Sequence, residues 1–203
     1  MLFHYFQRRT ISRTLRNGSW EGISIGLHTF YLKDLCEKHL DQVLMWRNQS
    51  HIRNMMYTDR MITKSEHEQW YQNILANNQM IVKLLFQEDQ PLGLIQFTHI
   101  HEDFKRCHWG FYVGESDAPK GTGTVLGLLA LDYIFTDYQI KKVCAEVIEE
   151  NVRSFHFHKK LGFIEEGRFK KHIMKNGVPM DVTPMALFYE NWQEVRLQLL
   201  EEL

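Results

Sequence analysis

The stretch Pro119-Lys120-Gly121-Thr122-Gly123-Thr124 constrains this chain more than any other. Glycines stand at alternate positions, a lysine precedes them, and hydroxyls lie between and after. Ahead of it runs an aromatic, strand-like segment, His108-Trp109-Gly110-Phe111-Tyr112-Val113. Behind it comes an apolar run at helical spacing, Val125-Leu126-Gly127-Leu128-Leu129-Ala130-Leu131. Strand, glycine turn and helix make an anion-binding layout. Glycines let backbone N–H groups converge on one point, and the helix start adds its partial positive charge. The plain alternative is a turn with Thr124 as the helix N-cap.

On either side of this stretch the periodicity gives the other elements. Ile23-Ser24-Ile25-Gly26-Leu27 alternates as a strand does. Residues 34–47 predict a helix with Leu35, His39, Val43 and Trp46 on one stripe. Residues 48–51 break it, and a polar turn leads into residues 52–57. Thr63-Lys64-Ser65-Glu66 forms a capping box and opens a helix through His67, Trp70, Tyr71 and Leu75. Strands follow at 80–86, 92–100 and 107–113, with a hairpin turn at 88–90. The helix after the glycine turn runs to about Tyr138. Residues 142–149 form a strand parallel to the one before that helix, because a helical crossover joins them. A short helix at 151–160 ends at Gly162. A further strand begins at 163–167, Lys175-Asn176-Gly177 turns tightly, and residues 182–189 close the sheet. The expected fold is one α/β (α+β) domain over residues 23–190. Its mixed, mostly antiparallel sheet has about seven strands flanked by helices, and residues 191–203 form a terminal helix or tail.

Bulk properties narrow the function classes. The 203 residues are 44% hydrophobic, enough for one sizeable core. No run approaches the ~18 apolar residues of a membrane span. A net charge of -1 gives no field to attract nucleic acid or a membrane surface, so neither partner is expected. Cys36, Cys107 and Cys144 are odd in number and far apart, which fits reduced thiols in a cytoplasm. Histidines are many, but His99-Ile100-His101, Cys107-His108 and His156-Phe157-His158 lack C-x-x-C or H-E-x-x-H spacing, so no metal is expected. Residues 1–22 contain Arg8, Arg9, Arg13 and Arg16 and stay acid-free through Trp20. They resemble a targeting peptide, but the favoured reading is a disordered extension or a start placed too early.

The element order, Lys120-Gly121-Thr122-Gly123, Glu149-Glu150-Asn151-Val152-Arg153-Ser154 and Lys160-Leu161-Gly162-Phe163-Ile164-Glu165-Glu166-Gly167 together resemble the GCN5-related N-acetyltransferases (GNAT) over residues 23–190. A narrower likeness lies upstream. Trp46-Arg47-Asn48, Ile52-Arg53-Asn54-Met55-Met56-Tyr57 and Ser65-Glu66-His67-Glu68-Gln69-Trp70 resemble the acetyltransferases of pseudaminic acid biosynthesis. The resemblance implies acetyl-CoA as co-substrate and a parallel pair splayed at its site. The implied acceptor is the 4-amino group of a UDP-linked 4-amino-4,6-dideoxy sugar, UDP-4-amino-4,6-dideoxy-N-acetyl-β-L-altrosamine. Two positions depart from the family pattern. Ala118 stands where Gln or Arg is usual, leaving Lys120 to supply charge. His158 stands where a tyrosine often serves as general acid.

Acetyl transfer to an amine needs a neutral nucleophile, donors for the developing oxyanion, a proton for the leaving thiolate and tight positioning. By the resemblance, the backbone of Gly121, Thr122, Gly123 and Thr124 cradles the pyrophosphate, and backbone N–H groups of Tyr112, Val113 and Gly114 polarise the carbonyl. Asn151, Ser154 and His158 share one helix face, which the resemblance assigns to the pantetheine arm and thiol. His158 is then the first choice of acid, with Tyr112 or water as the alternative. Glu146 stands in an apolar strand, where the resemblance makes it a base acting through water that Gln96 could place, and the alternative is a paired structural carboxylate. Arg47 offers a phosphate fork or a helix cap. By the resemblance Arg47, His67, Thr98, His99 and Tyr112 line the acceptor pocket, with Met56, Tyr57 and Trp70 as apolar walls. Taken singly, Trp46, Trp70 and the methionines read more readily as ordinary core. The leading expectation is direct transfer in a ternary complex by a monomer or homodimer. Acetylation of a protein N-terminus or another small amine is the runner-up, and a non-catalytic acyl-CoA-binding module is the alternative from another class.

Overall fold

The computed structural model describes residues 27–203. The basic segment 1–22 and the expected strand at 23–27 lie outside the described residues, except Leu27, which enters a 3-10 turn at Leu27–Thr29. The first described strand is β1 (Phe30–Asp34), antiparallel to β2 (Ile81–Gln87). Asp34 pairs with Lys83 across that ladder and its carboxylate takes the Lys83 ammonium at 2.5 Å. The helix expected at 34–47 therefore starts later. A 3-10 turn at Glu37–His39 leads into α1 (Leu40–Asn48). The stripe Leu35, His39, Val43 and Trp46 is buried all the same. A short helix, α2 (Ser50–Arg53), follows where only a polar turn was expected.

The next helix, α3 (Lys64–Ala76), carries the expected capping box. The Thr63 hydroxyl accepts from the Glu66 N–H, and the Glu66 carboxylate accepts from the Thr63 N–H. β2, β3 (Gln90–His101) and β4 (Arg106–Val113) form an antiparallel meander. α4 (Thr122–Thr136) then crosses over to β5 (Lys142–Ile148), which lies parallel to β4. α5 (Val152–Lys160) leads to β6 (Ile164–Glu165), β7 (Phe169–Lys175), β8 (Val178–Phe188) and α6 (Tyr189–Glu202). The order across the sheet is β1-β2-β3-β4-β5-β8-β6, with β7 also on β8. Among the described residues the sheet has eight strands: β1 stands where no strand was expected, and the segment after Phe163 makes two strands, separated around Gly167, where one was expected.

Side-chain alternation sends residues of one strand to two apolar layers. Leu85, Ile95 and Phe97 join α4 and α6 on one face. Val82, Leu84 and Leu94 join Val43 and Trp46 of α1 and Tyr71 of α3 on the other. Covering both faces explains why β2 and β3 read as near-continuous apolar runs. Residues beyond 190 belong to this core. Trp192 is buried and donates to Asp132 at 3.0 Å, and Arg196 grips the same carboxylate at 2.7 and 2.9 Å.

One contact locks α1 to the end of β4. Trp46 is fully buried, and its ring lies where a Cβ on Gly114 would come within 2.1 Å. The Trp46 indole N–H also donates to Glu115 at 2.9 Å. Neither ring nor backbone has room to yield. Gly114→Ala should lower stability by about 3 kcal/mol, read as a fall in the urea midpoint at constant slope. A stability within 1 kcal/mol of the parent would show that α1 is not anchored there.

Candidate active site

The parallel pairing of β4 with β5 lasts for three residue pairs, Arg106↔Lys142, Cys107↔Val143 and His108↔Cys144. β5 continues along β8 as far as Ile148↔Val182, while β4 continues along β3 to Gly93↔Val113. Beyond His108 the two strands diverge, and a slot opens between them. The Gly114 N–H donates to Leu92 O at 2.8 Å, on the β3 side. Alternation then turns the Tyr112 N–H to β3 as well, and the N–H groups of Val113 and Phe111 toward the slot. Of the three backbone donors expected at 112–114, Val113 alone faces the slot.

At the end of the slot stands the glycine turn. Gly121 is the N-cap of α4 at φ 92, a left-handed conformation that glycine adopts without strain. Thr124 is therefore not the cap, and it does not line the cleft. The Thr122 N–H and hydroxyl both turn back to Pro119 O, at 3.1 and 2.7 Å. A helix cannot satisfy its own first-turn N–H groups. Those at the start of α4, next to Lys120, Gly121 and Gly123 on the cleft wall, give this end a positive pole. A Cβ on Gly123 would meet nothing closer than Phe157 at 3.8 Å, so the space above it is open. These features suit the diphosphate of a nucleotide thioester.

Turn and slot open into one cleft of about 1350 Å³. Asn151, Ser154 and His158 of α5 line it, as their shared helix face predicted. The Asn151 carboxamide oxygen caps α5 by accepting from the Ser154 N–H at 3.1 Å. His158 does not have the freedom that a general acid needs. The Trp109 indole N–H donates to its Nε2 at 3.2 Å. An indole only donates, so the ring proton must sit on Nδ1, which donates to Ser154 O at 2.8 Å. The ring is buried among Trp109, Phe111 and Phe163. Burial pushes its pKa down to about 4, against a smaller opposing effect of the Ser154 carbonyl. At neutral pH His158 is an uncharged wedge, and its expected role as acid is corrected on that ground.

The other half of the cleft is built by β3, β4, β5 and the loop after α2. Gln96 and Thr98 of β3, Tyr112 of β4 and Glu146 of β5 line it, with His99 at a bulge. Glu146 is exposed, although its strand is buried as expected. The Tyr57 hydroxyl donates to its carboxylate, and burial together with that bond raises the Tyr57 pKa. Tyr112 is also pushed up by burial. Lys175, buried at the end of β7, donates to Asn54 O and to Met56 O, the latter at 3.1 Å. The loop carrying Met56 and Tyr57 is thereby strapped across the cleft. Trp70 stacks on His67 with centroids 4.9 Å apart. His67 bonds the Leu40 backbone and is lowered in pKa mainly by burial, while its Nε2 is buried with no hydrogen-bond partner. Arg47 donates through Nη2 to Thr58 O at 2.8 Å, and its Nη1 is buried without a partner on the cleft wall.

Three contributors escaped the sequence reading. His108 lines the cleft at the fork of the two strands; its only sequence signal was the alternation that places it opposite Cys107 and Trp109. Glu115 accepts from Gln42 at 2.6 Å and from Trp46, which no local pattern encodes. Lys175 looked like a turn residue. Among the described residues no cluster of three or more His, Cys, Asp or Glu is placed to hold a metal, and no helix is long and apolar enough to cross a membrane.

A family model described as an acetyltransferase (GNAT) domain matches residues 29–164. The chain belongs to the GNAT acetyltransferases. GNAT enzymes use acetyl-CoA as the acetyl donor. The fold is that of spermidine N-acetyltransferase from Vibrio cholerae, solved with CoA and spermine, at TM-score 0.76 and 22% identity over 82% of this chain and 99% of that one. Spermidine N(1)-acetyltransferase of Escherichia coli is 27% identical over 52% of this chain and 56% of its own length. The chain thus matches little more than half of that relative. Acetyltransferase PseH of Campylobacter jejuni is also 27% identical, over 67% of this chain and 80% of its own length.

Locking His158 neutral has a measurable consequence. Its pKa is 6.5 unfolded and about 4 folded, so the unfolded chain binds this proton more readily. The stability linked to it is present above pH 6.5 and is lost as pH falls toward 4, by on the order of 3 kcal/mol. In His158→Gln that component of the acid destabilisation should disappear, while stability at pH 7 drops by about 2 kcal/mol through the unpaired Trp109 and Ser154 groups. Urea titrations at pH 7 and pH 4.5 measure both. Equal pH dependence in the two proteins would contradict the neutral wedge.

Proposed function

We propose that this protein transfers the acetyl group of acetyl-CoA to the 4-amino group of a UDP-linked 4-amino-4,6-dideoxy sugar. The acceptor is UDP-4-amino-4,6-dideoxy-N-acetyl-β-L-altrosamine, a nonulosonate precursor of the pseudaminic acid type, and the setting is a cytoplasm, where three free thiols persist. One observation carries this reading: Arg47 stands in the acceptor half of the cleft with one guanidinium nitrogen buried and unpartnered. Burial lowers its pKa, against a smaller raising effect of Tyr112. An unmet guanidinium donor is expensive, and a diphosphate oxygen is its natural acceptor.

The local charge supports the same choice. Arg60, also on the wall, is already paired with Glu66. Arg106, His51, His99 and His101 add positive or protonatable groups. Glu146 is exposed on the cleft wall, where Tyr57 bonds it and Gln96 also lines the wall, whereas Glu66 is paired with Arg60 and Glu115 with Gln42 and Trp46. A polyamine would meet Arg47 and Arg106 as like charges. A nucleotide sugar places its phosphates on Arg47 and its single ammonium near Glu146.

The remaining groups have definite tasks. The Val113 N–H donates to the thioester carbonyl oxygen as it becomes negative. The α4 start and Lys120 hold the pyrophosphate. Met56, Tyr57 and Trp70 exclude water around the sugar. Ser154, beside the slot, provides a hydroxyl near the departing sulfur. A polyamine acceptor is the second reading, favoured by the likeness to the spermidine enzymes.

Free-thiol release from acetyl-CoA should be measured with the UDP-4-amino sugar, spermidine and an alanine-starting peptide. The UDP sugar is expected to exceed the other two in kcat/KM by about 100-fold or more. Arg47→Met should raise KM for the UDP sugar by about 10–100-fold and leave KM for acetyl-CoA unchanged. Faster turnover of spermidine, with no effect of Arg47→Met, would reverse the assignment in favour of the polyamine.

A further inference from the structure

We propose that His108 is the base of the transfer: its imidazole takes a proton from the acceptor ammonium, and Glu146 holds the imidazolium that forms. This rests on the acetyl-transfer reading, but not on which amine is the acceptor.

The position is dictated by the fork. His108 is the last residue of β4 paired with β5, opposite Cys144, and on β3 it faces Thr98. Its neighbours Cys107 and Trp109 point into the core, so His108 points to the other face of the sheet. Gln96 and Thr98 lie on that face, because they pair with Gly110 and His108. Glu146 lies there too, two residues beyond Cys144 on β5. His108 therefore stands where the strands part, beside the slot that holds the thioester, on the face from which the acceptor enters. It lines the cleft and is half-buried. Among the described residues no hydrogen bond engages either of its ring nitrogens, in contrast to His158, where both are committed.

The surrounding groups set its charge state. From β5 it faces Glu146 and the Cys144 thiol, and from β3 it faces His99 and His101. The His99 ring stands edge-on with centroids 5.3 Å apart. Arg106 lies on its own strand. Burial is the largest influence and lowers the His108 pKa; Glu146 opposes it, and His99, Arg106 and His101 add to it. The resting imidazole is neutral at pH 7 and able to accept. A neutral imidazole is also a stronger base than an ordinary carboxylate.

The protons balance. His108 takes one from R–NH3+, and the freed nitrogen lone pair forms the C–N bond. The C–S bond breaks with its electron pair going to sulfur. A second proton passes from nitrogen to the thiolate, and His108 returns its own to solvent. The products are the amide, the free thiol and one proton.

The test is the pH profile of kcat/KM from pH 5.5 to 9.5, using the amine that the wild-type protein turns over best. The wild type should rise through a limb below pH 7. His108→Gln should lose about 100-fold at pH 7 and recover toward pH 9.5, where the amine sheds its proton unaided, with KM for acetyl-CoA unchanged. Glu146→Gln should move the wild-type limb to lower pH. An unchanged profile in His108→Gln, or a loss equal at every pH, would overturn the proposal. If that variant does not fold, NMR titration of the wild-type His108 ring decides: a ring still charged at pH 8 excludes it as the base. If the wild-type protein acetylates no amine, the acetyl-transfer reading itself fails.

Discussion

Two strands that pair for three residues and then separate are the constraint on which the rest depends. Edges of parallel strands carry unpaired N–H and C=O groups, which are costly unless something meets them. Here the separation is held from the core side. Trp109, Phe111, Phe157 and Phe163 pack around the His158 ring, and the Trp109–His158 hydrogen bond ties α5 to β4. On the far side β5 is fully engaged with β8. β4 therefore cannot close onto β5, and its free edge is left for an extended ligand. A histidine that resembles a catalytic acid in the sequence serves in the fold as a neutral, doubly bonded spacer.

The acceptor half is fixed to this slot by contacts between segments distant in sequence. Trp46 beneath Gly114 sets α1 against the end of β4, and its indole holds Glu115. Lys175 reaches from β7 to the backbone of the loop after α2. Tyr57, from that loop, bonds Glu146 of β5. The loop spans the fork and touches both sides, so the walls around the acceptor are positioned relative to the thioester slot. Such positioning is a large part of the catalysis of a bimolecular transfer.

Charge divides the cleft into functions. In the proposed assignment the donor end relies on a helix start, a left-handed glycine and Lys120. In the same assignment the acceptor end sets the unmet Nη1 of Arg47 and several imidazoles against the Glu146 carboxylate, which the Tyr57 hydroxyl bonds. Relatives of similar identity acetylate polyamines, so fold and identity do not choose the acceptor. The sign and satisfaction of these side chains bear on that choice.

Much of this was legible locally. The capping box at Thr63, the glycine turn, the crossover that forces β5 parallel to β4 and the shared face of Asn151, Ser154 and His158 all follow from short-range geometry, so the sequence alone determined the fold class and which turn and helix residues line one end of the cleft. Boundaries failed where long-range pairing overrode propensity: Asp34 went to β1 because Lys83 lay across the ladder, and the strand after Phe163 divided because both pieces pair with β8. Side-chain roles failed for the same reason. The indole that fixes the His158 tautomer lies 49 residues away. His108 and Glu146, on strands separated by a whole crossover, share a face only once the register is set. A sequence specifies which groups are present; which nitrogen is free, and which charge is unmet, depends on contacts that only the tertiary structure forms.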